Sequence, residues 1–150
     1  MKQPKGLNQL GKEIHQNAVE KGFYEDENNA LYGCHLNNIT HKAVKHAFFA
    51  QKIALIHTEA SEAIEADRDS KHANVKWVEN MVNFRENNGS ETLFPQLYCN
   101  NIKHTVEDEL TDILIRVIDL MEHIGMDIEK HVEMKMNYNS LREYKHGKAY

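Results

Sequence analysis

The stretch HTEASEAIEADR places Glu59, Glu62 and Glu65 at three-residue intervals, directly after AFFAQKIALI, a run with the character of a protein interior. A second segment, TVEDELTDILIRVIDLMEHIG, carries Glu109, Asp112, Arg116, Asp119 and His123 at steps of three, four, three and four. That spacing lines the five side chains along one side of a helix. Two pairs one turn apart, Glu59 with Glu62 and Glu109 with Asp112, could therefore converge. Four carboxylates so gathered repel one another unless a cation lies among them. Hard oxygen ligands suit Mg²⁺ or Mn²⁺, and Mg²⁺ commonly completes its shell with water and substrate phosphates. The pattern points to phosphate chemistry.

The helical geometry sharpens this. At about 100° per residue, Glu59 and Glu62 share the stripe of Val44, Phe48 and Leu55, where core residues belong, and Glu65 falls at its edge. On the other helix Val106, Leu110, Ile113, Leu114, Val117, Met121 and Ile124 make a broad apolar face that Ile115 and Ile118 extend. A single ExxE or ExxD is most often solvated helix surface. Two such pairs, each on a helix whose other faces ask for burial, favour a site instead. Glu65 and Asp119 read as partners for Arg68 or Arg116, or as groups that orient the ligands.

The elements that must carry these residues are helices. There are only two prolines, and apolar residues recur at three- and four-residue spacing, with no alternating strand pattern. A first helix is predicted over about Asn8 to Lys21, stopped by Gly22. Residues 23 to 39 read as a connection. The second helix runs from near Thr40 to about Arg68. A middle segment, 69 to 104, reads as an insertion holding one short amphipathic helix with Val75, Val78, Met81 and Val82, an NNGS turn and an irregular ETLFPQLYCNN. Thr105 and Asp108 resemble a capping box opening a third helix that Gly125 closes. Asp127 is the predicted N-cap of a fourth, which ends near Asn139 to Arg142. The whole 150 residues are read as one all-α domain with a four-helix-bundle-like core and a basic tail over about 140 to 150.

The fourth helix supplies a basic counterpart. Ile128, Val132, Lys135, Asn139 and Arg142 share one stripe, so an apolar anchor leads into a lysine, an amide and an arginine; Lys145, His146 and Lys148 follow around Gly147. Taken alone this is an ordinary basic end that complements a helix dipole. Beside the acidic faces it offers positive groups for a polyanionic ligand.

Bulk properties exclude several classes. A formal charge of −5 argues against a protein that holds duplex nucleic acid by its overall field. Cys34 and Cys99, the only two cysteines, stand outside any CxxC pattern, and the ten histidines lack paired zinc spacing; Cys34-His35 and Cys99 with His104 could meet only by tertiary accident. No uncharged stretch reaches membrane-span length and no leader pattern opens the chain. A cytoplasmic protein with free thiols and no membrane association is expected.

The ordered set HTEASEAIEADR, EDELTDILIRVIDL and KMNYNSLREYKHGK resembles the MazG-like family of all-α nucleotide pyrophosphohydrolases across about residues 40 to 148. The resemblance implies the all-α NTP pyrophosphatase fold and Mg²⁺-dependent cleavage of nucleoside triphosphates between the α and β phosphates, giving the monophosphate and pyrophosphate. It implies Glu59, Glu62, Glu109 and Asp112 as metal ligands and catalytic groups. Lys135, Asn139, Arg142 and Lys148 would contact nucleotide phosphates. It further implies a homodimer or homotetramer. Two features depart from the family pattern: Thr58 stands where a second glutamate often precedes Glu59, and 46 residues separate Glu62 from Glu109. Trp77, Phe84, Phe94 and Tyr98 in that insertion serve either the core or a nucleobase.

The expected mechanism is in-line attack of water on phosphorus, with a glutamate taking the proton and Lys135 and Arg142 neutralising the leaving group. A carboxylate-bridged di-iron bundle would need two Glu-x-x-His motifs on core helices, and only Glu143-x-x-His146 is present, in the tail. The other alternative is a non-catalytic nucleotide-binding or helical interaction module, in which the acidic stripes are interface or surface.

Overall fold

Residues 5–33, 37–88 and 93–143 are described by the structure, a computed structural model. Among them every regular element is helical, in the order α1 (Leu7–Glu20), α2 (Glu25–Tyr32), α3 (Asn38–Arg68), α4 (Val75–Asn88), α5 (Leu93–Asn101), α6 (Val106–His123) and α7 (Ile128–Ser140). The all-α class is as the sequence predicts. No helix of the described residues is long and apolar enough to cross a membrane.

Local chemistry explains the boundaries. α1 stops where Gly22 takes a φ of +84°, which lets the amides of Gly22 and Phe23 turn back onto the carbonyls of Val19 and Ala18. Gly125 does the same work after α6 with a φ of +74°. Asp127 caps α7 by accepting from the Lys130 amide at 3.1 Å. At the start of α6, Thr105 Oγ1 accepts from the Asp108 amide at 3.3 Å. The returning half of the capping box is shifted by one residue, since Asp108 accepts from the His104 amide at 2.9 Å.

Two segments read as irregular are helical. The supposed connection at 23 to 39 contains α2, whose first turn holds Glu25, Asp26 and Glu27 and so complements the helix dipole without any apolar periodicity. The supposedly irregular ETLFPQLYCNN contains α5. Pro95 sits in the first turn of α5, where a missing N–H costs no internal hydrogen bond. The predicted helix around Val75 to Val82 is longer than expected, reaching Asn88, and Gly89 and Ser90 of the predicted turn lie outside the described residues.

The chain forms two compact units, one made of Met1–Val44 with Val117–Tyr150 and the other of Lys45–Arg116. The boundary falls inside α3 and α6.

In the first unit Tyr24, Leu31, Ile118, Leu120 and Ile128 are buried, and α1 packs on α7. Gly11 makes that approach possible, because a Cβ there would stand 2.8 Å from Cδ1 of Ile128. Asn8 clamps the two helices: its Oδ1 accepts from the Ile128 amide at 2.7 Å and its Nδ2 donates to Asp127 at 2.9 Å. A polar cluster lies on the same unit. Asp119 accepts from His15 Nδ1 and from the Tyr24 hydroxyl, each at 2.7 Å. The Tyr24 ring lies 4.6 Å from that of His123, which meets Glu27 at 3.2 Å. Burial, reinforced by Asp119, holds the Tyr24 phenol in its neutral form far above the usual range.

In the second unit α4 packs on α5, with Met81, Ile102, Ala63 and Ala66 buried. The turn after α3 is tied to the start of α6. Lys71 accepts from the Val106 amide at 3.0 Å, and Glu107 accepts from the Ala73 amide at 2.8 Å. These two bonds set the acidic end of α3 beside the acidic beginning of α6.

Candidate metal centre

The buried line of α3 in the second unit runs through Glu59, Ala63 and Ala66. Glu59 is 6% exposed, which puts a carboxylate where the core should be. Glu109 on α6 is buried still more deeply, at 3%. Asp112 is partly exposed and Glu62 fully so. The expectation that Glu59 and Glu62 point inward together therefore holds for Glu59 alone. Glu62 lies about 60° around the helix from Glu59, off the Ala63–Ala66 line, and so reaches solvent.

The four predicted ligands nevertheless form two overlapping groups. Oxygens of Glu59, Glu109 and Asp112 all lie within 4.8 Å of one another, and so do ligand atoms of Glu62, His104 and Glu109. Glu109 belongs to both. His104 takes part because its left-handed backbone, with a φ of +63°, turns it back just before α6; its Nδ1 comes to 3.4 Å from Glu109. No spacing in the sequence marks His104 as a member of the group, since it precedes α6 in a turn and Glu62, on α3, lies 42 positions earlier.

Charge is only partly balanced. Arg116 donates from Nε at 2.7 Å to Glu59 Oε1, which its Nη2 also approaches at 2.5 Å. Glu59, and not Glu65 or Asp119, is thus its carboxylate partner; Asp119 is bound to His15 and Tyr24 in the other unit. Burial raises the Glu109 carboxyl above its ordinary range, with Glu62 and Glu59 adding to the effect against the His104 contact. Burial likewise raises Asp112, helped by Asp108 and Glu59 and opposed by Arg116. Arg116 balances Glu59 and leaves the like charges of Glu109 and Asp112 facing each other in a poorly solvated place. That arrangement favours either proton uptake or a divalent ion.

Two cavities flank the carboxylates. The first, about 310 Å³, is lined by Glu62, Glu65, Ala66, Asp69, Lys71, His104 and Glu109. The second, about 400 Å³, is lined by Phe94, Pro95, Tyr98, Cys99, Lys103, Asp108 and Asp112. Tyr98 donates a short hydrogen bond to buried Asp108, and burial with that bond pushes its phenol far up. Glu65 and Lys71 are exposed lining residues of the first cavity, Lys71 paired with Asp69 at 2.8 Å. Neither Lys71 nor Tyr98 has a spacing signal that would mark it in the sequence as a neighbour of the acids.

The predicted phosphate contacts belong to the first unit. Lys135 and Asn139 are exposed on α7, and Arg142 follows it. Both cations face an aromatic ring: Lys135 Nζ is 5.1 Å and Arg142 Cζ 5.8 Å from the Tyr138 centroid. Lys145, His146 and Lys148 lie outside the described residues, as do Cys34 and His35. Trp77 is exposed on α4, Phe94 and Tyr98 are half-buried on α5, and the Phe84 side chain is outside the description.

What the fold and site define, then, is an all-α protein with a shared-carboxylate cluster between two helices. Compared with known protein families, curated proteins and solved structures, the chain finds no match.

Proposed function

We propose that the chain is a Mg²⁺-dependent, MazG-like nucleoside triphosphate pyrophosphohydrolase that releases the monophosphate and pyrophosphate. The observation that carries the reading is the pair of overlapping acidic groups joined at buried Glu109. Their donor set fits the group: hard carboxylate oxygens close enough to share an ion, with two of the carboxyls pushed toward neutrality when no ion balances them. Mn²⁺ fits the same donors, and His104 adds a nitrogen that it accepts. A bound divalent ion supplies Lewis-acid charge to phosphate oxygens and to the attacking water.

The remaining roles fall to the chain. Glu59, Glu62, Glu109 and Asp112 hold the ion, with Arg116 fixing the orientation of Glu59. Glu65 lines the first cavity outside both groups and takes the role of accepting the proton of the attacking water. Lys71, ion-paired with Asp69 at 2.8 Å, lines that cavity and offers the positive charge for the departing pyrophosphate. The phosphate-contact role that the resemblance gives Lys135, Asn139, Arg142 and Lys148 is part of the same proposal. So is a homodimer or homotetramer, for which Ile64, Leu110 and Leu114, each more than half exposed, offer apolar surface.

A panel of nucleoside triphosphates assayed for pyrophosphate release, with Mg²⁺ or with chelator, tests the reading. Release should require Mg²⁺ and fall at least about 100-fold in Glu109→Gln and Asp112→Asn. Undiminished turnover in both variants would overturn the site. Nucleotide binding by calorimetry without turnover would replace the enzyme with a binding module.

A further inference from the structure

Resting on that reading, we propose that the 400 Å³ cavity on α5 receives the base of the nucleotide, while the polyphosphate lies in the 310 Å³ cavity beside Lys71 and His104. Two members of one carboxylate group divide between the cavities: Asp112 lines the first named here and Glu109 the second, although their oxygens lie within 4.8 Å. The metal centre is thus the partition between them. A ligand bound there extends into both, so its two ends must match two different linings.

The linings differ in the way the two ends of a nucleotide differ. The cavity beside Glu109 holds His104 and the Lys71–Asp69 ion pair among carboxylates and, among the described residues, has no phenylalanine, tyrosine or tryptophan in its wall. It suits a metal-bound polyanion. The cavity beside Asp112 is walled by Phe94, Pro95 and Tyr98, with Lys103 as its cation. Phe94 and Tyr98 form a ring pair with centroids 6.0 Å apart and planes tilted by 40°. The Tyr98 hydroxyl is anchored on Asp108, whose other oxygen accepts from the His104 amide, so the ring is held in place before any ligand arrives. A flat, apolar-faced group with polar edges fits such a wall, and the volume falls within the range of small-molecule pockets, roughly 300–1,000 Å³.

Cys99 lines the aromatic cavity and is an exposed free thiol, which makes it a reporter. In a Cys34→Ser background it is the sole cysteine. Its alkylation by iodoacetamide is followed in Mg²⁺ with a non-hydrolysable α,β-methylene nucleoside triphosphate, and separately with inorganic tripolyphosphate. The nucleotide should slow alkylation about tenfold at saturation and tripolyphosphate less than about twofold. Cys99→Trp, which fills the cavity from an exposed position, and Phe94→Ala should each raise the nucleotide KM about tenfold, the scale of one lost stacking contact. Equal protection by tripolyphosphate, or none by a nucleotide that is hydrolysed, overturns the base cavity and leaves the hydrolase reading standing. Protection by nucleotide without turnover supports the cavity and overturns the hydrolase. Failure of nucleotide to bind or react at all overturns both.

Discussion

Neutralising Glu109 should stabilise the metal-free protein while removing its response to metal. Glu109 is 3% exposed, with oxygens of Glu59 and Asp112 within 4.8 Å. At that separation each unscreened pair repels by about 3.5 kcal/mol at an effective dielectric of 20. Arg116 offsets the Glu59 contribution through its contacts at 2.5 and 2.7 Å, and solvent reaches Asp112. A net relief of about 1 kcal/mol remains on Glu109→Gln, which keeps the side chain's shape. For a chain of this size that is a rise of roughly 2–4 °C in Tm. Metal reverses the order. At a Mg²⁺ concentration about 100 times Kd the native protein gains about 2.7 kcal/mol, and the variant gains little. Thermal melts followed by circular dichroism, in EDTA and in Mg²⁺, read both halves. A glutamine variant that melts below the native protein in EDTA, or that rises equally in Mg²⁺, would refute the reasoning.

Three further outcomes follow from the geometry. Tyr24→Phe removes the 2.7 Å bond to Asp119 and should cost about 1.5–3 kcal/mol, the range for a hydrogen bond to a charged group, read as a lower Tm in the same melts. Asn8→Ala removes the acceptor of the Ile128 amide and should cost about 1 kcal/mol, with hydrogen exchange in the first turn of α7 faster by about fivefold. Mg²⁺ binding should weaken as pH falls from neutrality into the upper carboxylate range. Glu109 and Asp112 have raised values when folded, so the ion must displace protons there. The sign for the metal-free fold is opposite: these two carboxyls contribute stability at low pH that is lost as pH rises through their raised values. Calorimetry across pH and in buffers of different ionisation enthalpy measures both the affinity and the protons released.

The sequence made α1, α6 and α7 legible because each combines apolar spacing with a recognisable stop or cap, such as Gly22 or Asp127, and α3 legible by its length and apolar spacing. α2 was hidden because EDENNALY has almost no apolar residues to show a period, and α5 because Pro95 looks like a breaker until its place in the first turn is known. The acidic residues were legible in kind, since spacing reports which side chains share a helix face. Spacing does not fix how far that face is rotated toward the neighbouring helix. Hence spacing assigns Glu59 and Glu62 alike to the interior, whereas the structure buries Glu59 and leaves Glu62, about 60° away, exposed. His104, Lys71 and the Arg116–Glu59 pair depend on which turn meets which helix, information held in tertiary bonds such as Val106 to Lys71.

The clamp of Asn8 on Ile128 joins residues 120 positions apart, whereas the unit bearing the carboxylates is the uninterrupted stretch Lys45–Arg116. That difference orders the folding reaction. The acidic unit needs only its own contiguous stretch, whereas the α1–α7 pairing waits for α7 and closes a loop of 120 positions. Folding of the middle shortens that loop, so prior order in the carboxylate-bearing unit lowers the entropic cost of joining the two outer segments.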